Sequence, residues 1–122
     1  MSKPVRVLIV DDDEDIRNLL STVLAEEGYD VLTAPHGAAA LDIIARSHPN
    51  LILTDMRMPT MDGEAFAQAY HLQPGPHAPI VVISAADEET RRRAAGLANT
   101  VLTKPFDLGE LLEVVDRYSH PA

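Results

Sequence analysis

The sequence reads as an α/β fold: a five-stranded parallel sheet, doubly wound, with five alternating helices. Two observations predict it. Five short runs of apolar and β-branched residues alternate with stretches whose apolar residues recur at helical spacing. Most of those strand-like runs also stop abruptly at a polar residue, followed by a turn signal or a helix start. Regular alternation of this kind implies parallel strands joined by right-handed crossovers, with helices on both faces of the sheet.

The first strand is Val5-Arg6-Val7-Leu8-Ile9-Val10, ending in Asp11-Asp12-Asp13. Its near-continuous hydrophobicity suits a strand buried on both faces. Ile16, Leu19, Leu20, Val23 and Leu24 give the first helix an apolar face. Gly28 stands just past its end, a usual stop. Val31 to Ala34 is the second strand, and Ala40, Leu41, Ile44 and Ala45 mark the second helix, closed by Ser47-His48-Pro49-Asn50. Leu51-Ile52-Leu53-Thr54 is the third strand and terminates in Asp55. Phe66, Ala69 and Tyr70 predict a third helix from about Asp62 or Gly63, and Gln73 to His77 is a surface loop. Ile80 to Ile83 forms the fourth strand, ending in Ser84. The charged segment from Asp87 to Arg93 leads into a weakly amphipathic fourth helix. Val101-Leu102-Thr103 is the fifth strand, followed by Lys104-Pro105. Asp107 caps the last helix, with Glu110 three residues on, and Leu108, Leu111, Leu112 and Val115 form its apolar face.

Composition narrows the function. With 122 residues and 46% apolar content, the chain is expected to be one domain, spanning 1–122, with a substantial core. A net charge of −9 argues against nucleic-acid backbones and anionic membranes as ligands. The absence of cysteine excludes disulfides, thiolate nucleophiles and cysteine-ligated zinc. The N-terminus is too short and polar for a signal peptide, and no apolar run reaches membrane-spanning length, so a cytoplasmic protein is expected.

Parallel strands bring Asp11, Asp12, Asp55, Ser84 and Lys104 to one edge of the sheet. The carboxyl edge of an open α/β sheet is where ligands and chemistry sit. Taken singly, each residue has a plain structural reading: turn or helix cap, turn hydroxyl, solvated charge. Together they make a coherent site. Three close carboxylates repel and raise each other's pKa. A hard divalent cation relieves this, and Mg²⁺, or Mn²⁺ in its place, accepts a few carboxylates plus waters and phosphate oxygens. An Asp beside such an ion can attack phosphorus and form an acyl phosphate. The ion, the Lys104 ammonium and the Ser84 hydroxyl could then hold the phosphoryl oxygens.

Val10-Asp11-Asp12-Asp13, Leu53-Thr54-Asp55-Met56-Arg57-Met58-Pro59 with Met61-Asp62-Gly63, Ile83-Ser84-Ala85 and Leu102-Thr103-Lys104-Pro105-Phe106 together resemble the receiver domain of bacterial two-component response regulators. The resemblance covers essentially the whole chain, with every motif in order. It implies a flavodoxin-like strand order of 2-1-3-4-5. It implies that Asp55 is the phosphoacceptor, that Asp12 ligates the metal directly and Asp11 largely through water, and that the main-chain carbonyl of Arg57 is a third ligand beside Asp55. Ser84 takes the position of the switch hydroxyl and Lys104 that of the phosphate-binding lysine, with Pro105 following through a cis peptide. The chain departs from the family pattern at Val101, where an aromatic is usual, and at Leu97, where Gly is common.

By resemblance, the expected function is to accept a phosphoryl group from a sensor histidine kinase or phosphotransfer protein in a Mg²⁺-dependent reaction. The chain would then signal through the fourth helix, fifth strand and fifth helix to a protein target or output domain. That face, with Arg91, Arg92 and Arg93, could meet an acidic partner or a second copy of the chain. Such a protein is no enzyme beyond its own phosphoryl transfer and dephosphorylation. Whether it stands alone or belongs to a longer protein is left open. The rival reading is a phosphatase of the haloacid dehalogenase type with Asp11 as nucleophile. Asp11 and Asp13 fit its motif halfway, but position 15 is Asp and no paired acids follow Lys104. A calcium loop at Asp11, Asp13 and Asp15 lacks the Gly at its sixth position and the Glu at its twelfth.

Overall fold

The computed structural model describes residues 4–56, 61–85, 87–96 and 98–119. Strands β1 (Arg6–Val10), β2 (Asp30–Ala34), β3 (Leu51–Asp55), β4 (Ile80–Ala85) and β5 (Thr100–Lys104) alternate with helices α1 (Glu14–Glu26), α2 (Gly37–Ser47), α3 (Gly63–Leu72), α4 (Glu88–Ala95) and α5 (Leu108–Ser119). The sheet is parallel throughout, in the order β2-β1-β3-β4-β5. The fold class is the one expected from the sequence, and the strand order is the one the resemblance implied.

Strand alternation divides the core in two. Leu8, Val10, Ile52, Ile80 and Val82 face one way and pack with Ala40 and Ile44 of α2, Phe66, Ala67 and Tyr70 of α3, and Ala94 of α4. Val7, Ile9, Leu51, Leu53, Val81, Ile83 and Leu102 face the other way, against Leu20 and Leu24 of α1 and Leu111 and Val115 of α5. Both faces of the central strands are therefore dry, which explains their unbroken apolar runs.

Local signals place the helix starts. The Asp13 carboxylate accepts from the Asp15 and Ile16 amides and caps α1. Asp62, Asp87 and Asp107 likewise accept from Ala65, Thr90 and Glu110 at the starts of α3, α4 and α5. Gly28, with φ of 94°, takes the left-handed turn after α1. Lys104–Pro105 is cis, as the resemblance implied, and Gly75–Pro76 is also cis.

Three residues assigned to apolar helix faces are not in the core. Leu19 and Leu108 are 52% and 45% exposed, and Ala45 is exposed. Leu19 and Ala45 each stand one residue from a buried neighbour, Leu20 and Ile44, and so about 100° around the helix from it. Leu108 is the first residue of α5, ahead of the part of the helix that meets the sheet. On α3, Ala67 is buried, and Ala69 is only partly so.

Ile52 is fully buried at the centre of the sheet. Ile52→Ala is expected to destabilise the protein by about 2–5 kcal/mol through lost transfer energy and the cavity left behind. Urea unfolding of the variant measures this, and a loss well below that range would mean the sheet centre relaxes around the gap.

Candidate functional site

The site begins with the pairing of β1 and β3. Val10 stands opposite Thr54 in the register, so the residues that follow, Asp11 and Asp55, leave adjacent strands at the same level. The Asp11 amide extends the β1–β2 ladder by donating to the Ala34 carbonyl at 3.1 Å. Oxygen atoms from Asp11, Asp12 and Asp55 all lie within 4.8 Å of one another. Among the described residues this is the one cluster of three or more side chains able to hold a metal ion. An all-carboxylate donor set suits a hard, oxygen-preferring cation.

The three carboxylates differ in surroundings. Asp11 is 3% exposed, Asp12 is exposed, and the Asp55 side chain is 14% exposed. Burial pushes the Asp11 carboxyl above the usual range. A hydrogen bond from the Asp13 amide at 2.9 Å and the Lys104 charge pull it back, while the Asp55 and Asp12 charges add to the rise. The sequence led one to expect mutual repulsion as the main cause of such a shift. Loss of hydration outweighs it, because Asp11 is the member drawn furthest into the sheet.

Lys104 approaches from two strands away. Asp55 pairs with Ile83, Ile83 with Leu102, and Lys104 is two residues beyond Leu102 on the same face of β5. Its ammonium nitrogen is 4.0 Å from Asp55 Oδ2, and its side chain is 44% exposed. At that distance and exposure the pair is loose, and contributes little to stability. Ser84 is buried at the same edge, where its hydroxyl donates to the Ala85 carbonyl at 3.2 Å. Alternation with Ile83 turns it toward the α3–α4 side of the sheet. The structure thus gathers Asp11, Asp12, Asp55 and Lys104 around one point and places Ser84 beside them. The Arg57 carbonyl, expected as a ligand, lies outside the described residues, as does Leu97.

Asp13 caps α1, so it serves the helix and not the acidic cluster. That leaves the Asp-x-Asp pairing of the phosphatase reading without its second member.

Four supporting residues escaped the sequence reading. Arg17, one turn into α1, donates from Nη1 to the Asp11 carbonyl at 2.7 Å. Thr54 is fully buried, and its hydroxyl donates to the Asp55 carbonyl at 3.0 Å. Gly63 donates its amide to the Met56 carbonyl at 2.8 Å. A Cβ at position 63 would lie 2.6 Å from the Asp55 carbonyl oxygen and 2.9 Å from Met56 Cα, so only glycine lets the chain fold back this closely. Arg93 is the fourth. The sequence placed it with Arg91 and Arg92 on an outward face, but it turns to α3. There it donates to Asp62 Oδ2 at 2.7 Å and to Glu64 Oε1 at 3.1 and 3.2 Å. Arg92 lies 3.5 Å from Glu88 along α4, and Arg91 is exposed.

The strand order is flavodoxin-like, with an acidic cluster and a lysine gathered at the carboxyl edge of the sheet. The response regulator receiver domain family matches residues 7–116, and the chain belongs to that family. It is 39% identical to a 14.6 kDa protein in the sodA1 3' region of Leptolyngbya boryana, over 92% of this chain and 88% of that one. It is 41% identical to the response regulator MprA of Mycobacterium sp. strain KMS, over 89% of this chain but 48% of MprA, so it spans about half the length of that relative. The structure superposes on the chemotaxis response regulator CheY4 of Vibrio cholerae with a TM-score of 0.87 at 31% identity, covering 95% of this chain and 99% of that one. For a response regulator receiver protein from Pseudomonas putida the TM-score is 0.88 at 28% identity, covering 95% and 98%. No helix among the described residues is long and apolar enough to cross a membrane.

Asp62 yields a pH prediction. The hydrogen bond from the Ala65 amide, opposed by partial burial and aided by Arg93, holds its carboxyl below the ordinary range. A lowered folded-state value means the contribution is present above the unfolded value of about 3.9 and is lost as pH falls through the folded value. Asp62→Ala should therefore cost about 0.5–2 kcal/mol near neutral pH, the usual loss of an N-cap. The gap from wild type should narrow as pH drops below about 4. Urea titrations at several pH values check it, and a pH-independent gap would assign the loss to packing instead.

Proposed function

We propose that the chain accepts a phosphoryl group on Asp55 in a Mg²⁺-dependent reaction and signals to a partner at the face formed by α4, β5 and α5, with the movement itself confined to the α4 side. The observation that carries the reading is the convergence of three carboxylates within 4.8 Å, with the Lys104 ammonium 4.0 Å from Asp55. Family membership supports it. The donor would be a phosphohistidine of a sensor kinase or phosphotransfer protein, or a small acyl phosphate. An Asp55 oxygen attacks phosphorus, the bond from phosphorus to nitrogen (or to the acyl oxygen) breaks, and the imidazole or carboxylate leaves. Asp11, Asp12 and Asp55 would hold Mg²⁺ or Mn²⁺, which supplies charge neutralisation for the phosphoryl oxygens when bound. Lys104 lies close enough to reach a phosphoryl oxygen on Asp55, and its ammonium would offset the charge that develops there. Arg17 and Thr54 hold the main-chain carbonyls of Asp11 and Asp55 and so keep both carboxylates at the edge.

Phosphorylation adds about −1.5 to −2 charge and three acceptor oxygens at Asp55. The Ser84 hydroxyl can turn from the Ala85 carbonyl to that group and draw the start of the β4–α4 connection with it. In the scheme usual for the family, an aromatic ring of the fifth strand fills the vacated space. Val101 instead packs against the α3–α4 side of the core. With one side-chain torsion it has no ring to swing inward. The response is therefore carried by the β4–α4 connection and the start of α4, with β5 nearly static.

Intact-mass spectrometry after acetyl phosphate treatment tests the chemistry. One phosphoryl group should appear with Mg²⁺ or Mn²⁺, disappear with chelator, and be absent in Asp55→Asn. Unchanged labelling of that variant would move the acceptor elsewhere. Amide NMR with and without beryllofluoride, a phosphoryl mimic, tests the switch. Ser84, Ala85 and Asp87 should shift strongly and Thr100 to Thr103 weakly. Equal shifts would show that Val101 does not uncouple β5.

A further inference from the structure

Arg93 joins two parts of the chain that the sequence keeps 29 to 31 residues apart. It projects from α4, while both its acceptors belong to the start of α3. The Asp62 carboxylate divides its two oxygens. Oδ1 accepts from the Ala65 amide and caps α3, and Oδ2 accepts from Arg93. Glu64, in the first turn of α3, receives both Nε and Nη2 of the same guanidinium. A planar guanidinium with fixed donors suits this two-carboxylate grip in a way an ammonium does not. Between the two acids lies Gly63, whose amide bonds the Met56 carbonyl and whose α-carbon packs on the Asp55 carbonyl too closely for any side chain. Asp62, Gly63 and Glu64 are consecutive, so where Arg93 holds the acids also decides where the glycine presses on the end of β3.

We propose that Arg93 is a positioning residue for the Asp55 site: by gripping Asp62 and Glu64 it sets the start of α3, and through the Gly63 contact the backbone of Asp55 and Met56. The bond couples the acidic cluster to α4, the helix expected to respond when Asp55 is modified. Coupling of this kind is reciprocal, so ion or phosphoryl-mimic binding at the cluster must also alter the Arg93 contact. The three groups are each about one-third exposed, so the grip is moderate and can be released without unfolding the sheet. The proposal rests on Asp55 as the acceptor but does not need phosphorylation for its test.

Amide NMR spectra and Mg²⁺ titrations of Arg93→Ala, Arg93→Lys, Glu64→Gln and the double variant Arg93→Ala/Glu64→Gln decide it. Arg46→Ala, which removes an equal charge from an exposed pair with Asp42 on α2, is the control. In Arg93→Ala the Asp55, Met56 and Gly63 amides should shift, Mg²⁺ affinity should fall about fivefold, and acetyl phosphate labelling should slow by a similar factor. Arg93→Lys should fall between this variant and wild type. Glu64→Gln should add little in the Arg93→Ala background, because the two act through one contact. Should Arg93→Ala match Arg46→Ala in its Asp55 and Met56 shifts and its Mg²⁺ affinity, the positioning role is wrong. Additive effects of the two substitutions would overturn it as well. Wild type that binds Mg²⁺ but takes no phosphoryl group would sink the acceptor reading and leave the positioning result standing on the shifts and the titration.

Discussion

The site depends on one pairing, that of β1 with β3. Because Val10 stands opposite Thr54, the acids that follow them emerge side by side, although Asp11 and Asp55 are 44 positions apart in the chain. Parallel strands make the coincidence general: every strand delivers its final residue to the same edge. β4 then spaces Lys104 from Asp55 by one strand, close enough to balance charge and too far for a tight ion pair. A slip of one residue in any of these registers would send its polar end-group to the opposite face and bury a hydrophobic side chain's place with it.

Gathering carboxylates is costly, and the fold handles each one differently. Asp11 is buried and pushed toward protonation, and is restrained by an amide from Asp13 and the charge of Lys104. Asp12 is exposed and Asp13 is diverted to the α1 cap. A run of three identical residues is thus divided by burial and capping into three different surroundings.

Glycine and arginine make the contacts that join the acidic edge to α3 and α4. The Asp62-Gly63 pair reads in the sequence as a helix start, and it is one. Its second role arises from the close contact of Gly63 with the Asp55 carbonyl and from the reach of Arg93 across from α4. A stretch of three arginines that reads as one solvated face is divided in the fold. Arg91 faces out, Arg92 pairs along its own helix, and Arg93 serves α3.

The alternating pattern, the strand-terminal Asp55, Ser84 and Lys104, and the cap at Asp107 were legible because each is local; which of Asp12 and Asp13 caps α1 was not. Strand and helix periods, cap spacing and turn residues are properties of neighbouring residues. The acidic site could be read as well, since parallel strands leave one edge on which such residues can meet. Arg17 over the Asp11 carbonyl, Gly63 against Asp55, and Arg93 across Asp62 and Glu64 could not be read, because each depends on distances between elements. The same holds for Leu19 and Ala45, whose exposure turns on a rotation of about 100° that a hydrophobic pattern does not resolve. By itself the sequence determined the elements, their parallel arrangement and the chemistry offered at the sheet edge. Tertiary structure alone decided which carboxylate is buried and which arginine is engaged, because both follow from how far one element packs from another.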